Sequence, residues 1–208
     1  MPLASACPAR NVGRVNPEHE NLCASPEWAG YLASEILPVV TAGIELGRDL
    51  LEIGPGPGAA TGWLAGHVAK LTALESDEAA AALLAGRYSG DNVTVDTGDA
   101  TRMSYPDGAF DAVASFTMLH HVPTAAAQHA ILAEALRVLR PGGTLLGSDS
   151  LASVGLHHFH AGDTYNPLDP ATLLTWLRTL GFSPVTIIVG EVLMFTARKP
   201  GGEDSASC

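Results

Sequence analysis

From Asp49 to Ala197 the chain alternates short apolar runs with amphipathic stretches of helical period, and the alternation fails only near its end. Parallel strands need a crossover long enough to hold a helix, so this pattern predicts a mainly parallel sheet covered on both faces. Strands are expected at 49–53, 69–74, 93–97, 110–116, 144–148, 185–189 and 192–197, with helices near 59–67, 77–88, 124–139 and 170–180. Ile131, Leu132, Ala135, Leu136 and Leu139 share one helical face. Asp169, Pro170 and Gly181 supply an N-cap, an N1 proline and a terminating glycine for the next helix. Only Gly190 and Glu191 separate the last two apolar runs, too few for a crossover, so the last strand must be antiparallel. The expected class is α/β: a doubly wound, seven-stranded, mainly parallel sheet with an antiparallel last strand.

Ser25 and Pro26 form an N-cap and N1 pair ahead of Trp28, Tyr31, Leu32 and Ile36, which lie on one face of a predicted helix. Residues 1–26 lack an apolar period and are expected to be irregular and outside the core. Residues 27–199 would form the domain and 200–208 a disordered tail.

With 208 residues, 47% hydrophobic and 16% charged, the chain can bury a core, and composition argues against intrinsic disorder. A net charge of −11, with no Lys/Arg cluster, argues against nucleic-acid and anionic-membrane partners. Cys7, Cys23 and Cys208 lie near the two ends and make no disulfide framework. With no signal-type apolar segment and no membrane-length run, a cytoplasmic location is expected.

The segment "DLLEIGPGPGAATGWLAGH", Asp49 to His67, carries Gly54, Gly56 and Gly58 in a turn where a ligand can approach bare backbone. A P-loop is excluded because no Lys-Ser/Thr follows the glycines. Gly54, Gly56 and Ala59 formally meet a dinucleotide pattern, with Glu75 about 20 residues on where a ribose-binding carboxylate belongs. A dinucleotide and a cofactor without phosphate both remain open at this point.

"LLEIGPGPG", "LTALESD", "VDTGDAT", "FDAVASFTMLHHV" and "RVLRPGGTLLGSD" occur in an order that resembles the motif series of class I S-adenosylmethionine-dependent methyltransferases, in particular their small-molecule branch. The resemblance covers about residues 49–198 and implies a Rossmann-like fold with S-adenosylmethionine as cofactor. It implies that Gly54, Gly56 and Gly58 receive the methionine portion and that Glu52 attracts its ammonium. Glu75 would accept the ribose hydroxyls, Asp99 the adenine amino group, and the Ala100 N–H would donate to the ring. Ser115 is counted with this set.

Acceptor contacts are expected beyond the carboxyl ends of the strands. Candidates are Trp28 and Tyr31 from the N-terminal helix, and His160, Asp163 and Tyr165 from the long segment "SDSLASVGLHHFHAGDTYNPLDP". His120 is the favoured general base, with His157 and His158 as alternatives and His121 as a structural residue. The polar segment suggests a hydroxylated, sugar-like or polyol-like acceptor and O-methylation. The same segment admits a homodimer contact instead.

A metal pairing of His157 with His160 is a further reading of that segment. Asp149 matches one ligand position of metal-dependent relatives, but Phe116 and Thr117 stand where a second acid is wanted, which weakens the case for Mg²⁺. The rival functions are a nicotinamide-dependent oxidoreductase and a non-catalytic S-adenosylmethionine-binding module.

Overall fold

The computed structural model describes residues 16–88, 90 and 92–201. Cys7, Cys208 and the tail from 202 onward lie outside the described residues. Seven strands form one sheet in the order β3-β2-β1-β4-β5-β7-β6. They are β1 Asp49–Ile53, β2 Lys70–Glu75, β3 Val93–Thr97, β4 Phe110–Phe116, β5 Leu139–Asp149, β6 Val185–Val189 and β7 Leu193–Arg198. β1 pairs parallel with both β2 and β4, and β4 pairs parallel with β5. β7 inserts between β5 and β6, antiparallel to both, and the three-residue connection from β6 requires the second of these pairings.

Strand order reverses direction at β1, which places a crevice between β1 and β4 at their carboxyl ends, the position where open α/β sheets bind ligands. The helices are α1 Pro17–Cys23, α2 Pro26–Tyr31, α3 Leu37–Val40, α4 Thr61–Ala65, α5 Glu78–Arg87, α6 Ala125–Val138, α7 Val154–Phe159 and α8 Pro170–Leu180. A π-helical turn, Leu32–Ile36, joins α2 to α3. Adjacent strand residues point to opposite faces, so Leu51, Ile53 and Val113 pack with Ile131, Leu132 and Leu173 of α6 and α8. Leu50, Ala112 and Ala114 pack on the other side with Leu32, Leu64 and Leu84.

Two expectations need correction. Residues 17–23 are not irregular: Asn16 caps α1 by accepting the His19 N–H at 3.0 Å, Pro17 sits in the first turn, and His19 is buried. The strand expected at 144–148 starts instead at Leu139, where the helix is expected to end, and runs through residues 140–143, accommodated by a register shift against β4 and by Gly142 at φ 80°. In the long connection after β5, Ser153 caps the short helix α7.

Candidate active site

Three carboxylates stand on consecutive strand ends around the glycine turn. Glu52, on β1, is 2% exposed and accepts the Thr61 hydroxyl at 2.7 Å. Burial pushes its carboxyl up to about 7, opposed by the Thr61 hydrogen bond and reinforced by the charge of Glu75. A carboxylate held this way has one neutral donor and no cationic partner, so it suits a ligand that brings an ammonium group.

Glu75 ends β2. One of its oxygens accepts from the Ser76 and Asp77 backbone N–H groups at 2.7 and 3.0 Å. The other accepts from Gly56 N–H at 3.1 Å, tying the turn to β2 and leaving that oxygen capacity for one further donor. The two-hydroxyl contact implied by the resemblance would require the Gly56 N–H to give way.

Asp99 is exposed after β3 and closes an Asx turn with the Thr101 N–H and hydroxyl at 2.8 and 2.7 Å. Those bonds hold its carboxyl below the usual range. Gly54, Gly56 and Gly58 all have positive φ, 63°, 51° and 87°. A Cβ on Gly54 would collide with Met118 and one on Gly58 with Leu84, whereas one on Gly56 would meet nothing within 4 Å. The turn is thus packed at its two ends and open at its centre, a cradle that fits the extended methionine portion of S-adenosylmethionine. Ser115 lies in β4, 2% exposed with an unpartnered hydroxyl.

β4 ends at a strained residue. Thr117 has φ 49°, uncommon for a β-branched side chain, and its N–H donates to Ser148 O at 2.8 Å. This bend leads into a 3₁₀ turn, Leu119–His121, which presents His120 and His121 beside β5. Asp149 is fully buried at the end of β5 and accepts from His120 Nδ1 at 2.5 Å, from Leu119 N–H at 2.9 Å and from Ser150 N–H at 2.7 Å. Its oxygens are committed, so it is not the open Mg²⁺ ligand that the sequence suggested.

Two further histidines join this pair from elsewhere in the chain. His19 on α1 faces Asp163 through Nδ1 at 3.2 Å, and His160 at the end of α7 meets Leu156 O through Nδ1 at 2.7 Å. His121 Nδ1 lies 3.3 Å from Thr164 O. Tyr165 stacks on His160 at 4.3 Å and donates its hydroxyl to Leu151 O at 3.2 Å. His160, Asp163 and Tyr165 are therefore brought together with His120, but inside the protein. Burial, and then neighbouring imidazoles, push the His121 pKa down to about 3. His19 and His160 are also lowered, burial being the first cause in each.

His157 and His158 stand apart from this group and are exposed, so the predicted pairing of His157 with His160 is not formed. His157 lines a cavity of about 380 Å³ with Ala152, Ser153, Val154, Tyr165 and Pro167. Trp28 and Tyr31 stack at 5.6 Å and are half-buried against the apolar layer beneath α2. His19 was missed in the sequence. Asn16-Pro17 before it is the same cap signature as Ser25-Pro26 and was the available signal.

Residues 51–147 match the family model described as a methyltransferase domain. The chain is 33% identical over 143 residues to a "Probable S-adenosylmethionine-dependent methyltransferase" of Mycolicibacterium smegmatis, covering 65% of this chain and 52% of that protein. It spans about half or less of the length of the curated relatives it matches. A SAM-dependent methyltransferase structure from Methanosarcina mazei superposes with TM-score 0.68 at 18% identity, over 80% of this chain and 99% of that one. Phosphoethanolamine N-methyltransferase 2 of Haemonchus contortus, solved with S-adenosyl-L-methionine, gives TM-score 0.69 at 15% identity over 81% and 52% of the two chains. Among the described residues no helix is long and apolar enough to cross a membrane. The motif series, the strand order and these likenesses agree on a class I S-adenosylmethionine-dependent methyltransferase domain.

Proposed function

We propose that this chain transfers the methyl group of S-adenosylmethionine to the oxygen of a small hydroxylated acceptor. The observation that carries the reading is the set of Glu52 on β1, Glu75 at the end of β2 and Asp99 just after β3, around a turn that is open at its centre. When bound, the cofactor supplies a sulfonium-activated methyl group. Glu52 holds the ammonium end, Glu75 takes a ribose hydroxyl, and Asp99 with the Ala100 N–H recognises the adenine. The protein contributes chiefly alignment of acceptor and methyl group, and a base for the alcohol proton.

The base is better assigned to His157 than to His120. His120 is 3% exposed and its Nδ1 is engaged by Asp149, whereas His157 is exposed and lines the 380 Å³ cavity. Ala152, Val154 and Pro167 make that cavity partly apolar. This favours an acceptor with an apolar body and a reactive hydroxyl over a sugar or polyol.

The test is a screen of hydroxylated small molecules for S-adenosylhomocysteine release. His157→Ala should lower kcat by roughly 10²-fold or more and leave S-adenosylhomocysteine affinity unchanged. Full activity in His157→Ala removes the base assignment. Cofactor binding without turnover on any acceptor supports the non-catalytic reading instead.

A further inference from the structure

Three buried imidazoles, His19, His120 and His160, and the half-buried imidazole of His121 need their own account. One ring nitrogen from each lies within 4.8 Å of those of the other three. The ring centroids are 4.0 Å apart for His120 and His121, 4.5 Å for His19 and His160, 4.8 Å for His19 and His121, 5.1 Å for His120 and His160, 5.5 Å for His121 and His160, and 6.4 Å for His19 and His120. Imidazoles bound through one nitrogen to a tetrahedral ion with metal–nitrogen bonds of about 2 Å place their centroids about 5 Å apart.

The tautomers are set by the surroundings. His19 and His120 direct Nδ1 at carboxylates, and His121 and His160 direct Nδ1 at backbone carbonyls. Carboxylates and carbonyls accept and do not donate, so Nδ1 carries the proton in every ring and Nε2 keeps its lone pair. His120 Nε2 and His160 Nε2 are buried with no hydrogen-bond partner. Two buried acceptor nitrogens without a donor, in a group of four rings, call for a cation. Carboxylates and carbonyls behind the distal nitrogens are the arrangement that orients metal-binding histidines.

Charge supports the same conclusion. The Asp149 and Asp163 side chains are 0% and 2% exposed, and each faces a histidine of the group. Four neutral imidazoles, two carboxylates and one divalent ion sum to zero, whereas two buried carboxylates among neutral rings do not.

We infer that His19, His120, His121 and His160 bind one divalent transition-metal ion of the zinc class. An all-nitrogen donor set excludes Mg²⁺ and Ca²⁺, which take oxygen ligands. Four protein ligands fill a tetrahedral ion and leave no position for substrate, so the site is structural. It fastens three remote segments: α1, the turn after β4 and the end of α7. Asn16 Nδ2 reinforces the link by donating to Phe159 O at 2.7 Å and to Asp163 at 3.1 Å. The metal thereby holds α1 and the α7 segment over the carboxyl end of the sheet. The inference goes beyond the proposed methyl transfer and is read without an activity assay.

The experiment uses the full chain, stripped with a chelator and titrated with Zn²⁺ and, separately, Co²⁺. One equivalent should bind, and Co²⁺ should give the intense visible ligand-field bands of a four-coordinate site. His160→Gln and His19→Gln should each weaken Zn²⁺ binding by about 100-fold or more, and Asp163→Asn by about 10-fold to 100-fold. His67→Gln and His129→Gln, outside the group, should bind as the parent does. Circular dichroism and S-adenosylhomocysteine affinity report whether each variant is folded. A folded parent protein that takes up no stoichiometric Zn²⁺ overturns the site, as do weak octahedral Co²⁺ bands or affinity unchanged in both ligand variants.

Discussion

The Nδ1 atom of His120 lies 2.5 Å from a carboxylate oxygen of Asp149, and both side chains are cut off from solvent. The same carboxylate accepts the Leu119 and Ser150 backbone N–H groups, so it joins the ends of β4 and β5. Asp149→Ala would leave buried donors unsatisfied at about 1 to 3 kcal/mol each. A loss of roughly 3 kcal/mol or more in urea unfolding is expected. A loss under about 0.5 kcal/mol, the range of ordinary surface substitutions, would contradict this role.

Stability should fall in acid because of the histidine group. The folded protein holds the pKa values of His19, His121 and His160 below the ordinary 6.5, that of His121 at about 3. Below pH 6.5 the unfolded chain therefore binds more protons than the folded one, and stability declines as pH drops. Unfolding of the chelator-treated protein between pH 7.5 and pH 5 should show a slope on the order of 1 to 4 kcal/mol per pH unit, corresponding to one to three protons. A flat profile would show that these imidazoles are not held neutral.

Glu52 acts in the opposite sense. Its carboxyl is raised from 4.5 to about 7 by burial, so the folded state takes up the proton first and stability is lost as pH rises from 4.5 to 7. Glu52→Gln should stabilise the ligand-free protein at pH 8 by roughly 2 to 3 kcal/mol and change little at pH 4. Its S-adenosylhomocysteine affinity should drop, because the partner of the ammonium is gone. Gained stability with unchanged affinity would remove Glu52 from the site.

Gly54 and Gly56 should separate packing from binding. Gly54→Ala drives a methyl group into Met118 at φ 63° and should destabilise the fold by about 1 to 3 kcal/mol. Gly56→Ala meets no protein atom within 4 Å and should cost only about 1 to 2 kcal/mol of backbone strain, while weakening cofactor binding sharply. If Gly56→Ala binds S-adenosylhomocysteine as well as the parent, the turn is not the cofactor bed.

Much of the sheet was legible because strands β1, β3, β4 and β6 are bounded by glycine, proline or polar clusters and keep their expected limits. Helix α8 also starts and stops where Asp169 and Gly181 indicate. Helices α1 and α7 were not legible, since seven and six residues are too few for a 3.6-residue period to show. The acidic residues of the crevice follow their strands in order and could be placed. The histidine group could not: His19, His120, His121 and His160 come from three segments joined only by tertiary packing, and no sequence spacing records that. "LHHV" and "LHHFH" drew attention to the right neighbourhoods but to the wrong partners, because the bend at Thr117 and the docking of α1 decide which rings meet.

The most direct test of the cofactor site is calorimetric titration of the parent chain and of Asp99→Ala with S-adenosylhomocysteine. Asp99 is exposed and bonded only within its own turn, so its removal leaves the fold intact and reads the ligand contact. Binding at one site in the parent, weakened in Asp99→Ala by about 1 to 3 kcal/mol, or roughly 5-fold to 150-fold, is the predicted result. No binding to the parent, or equal affinity in the variant, would contradict the crevice as described.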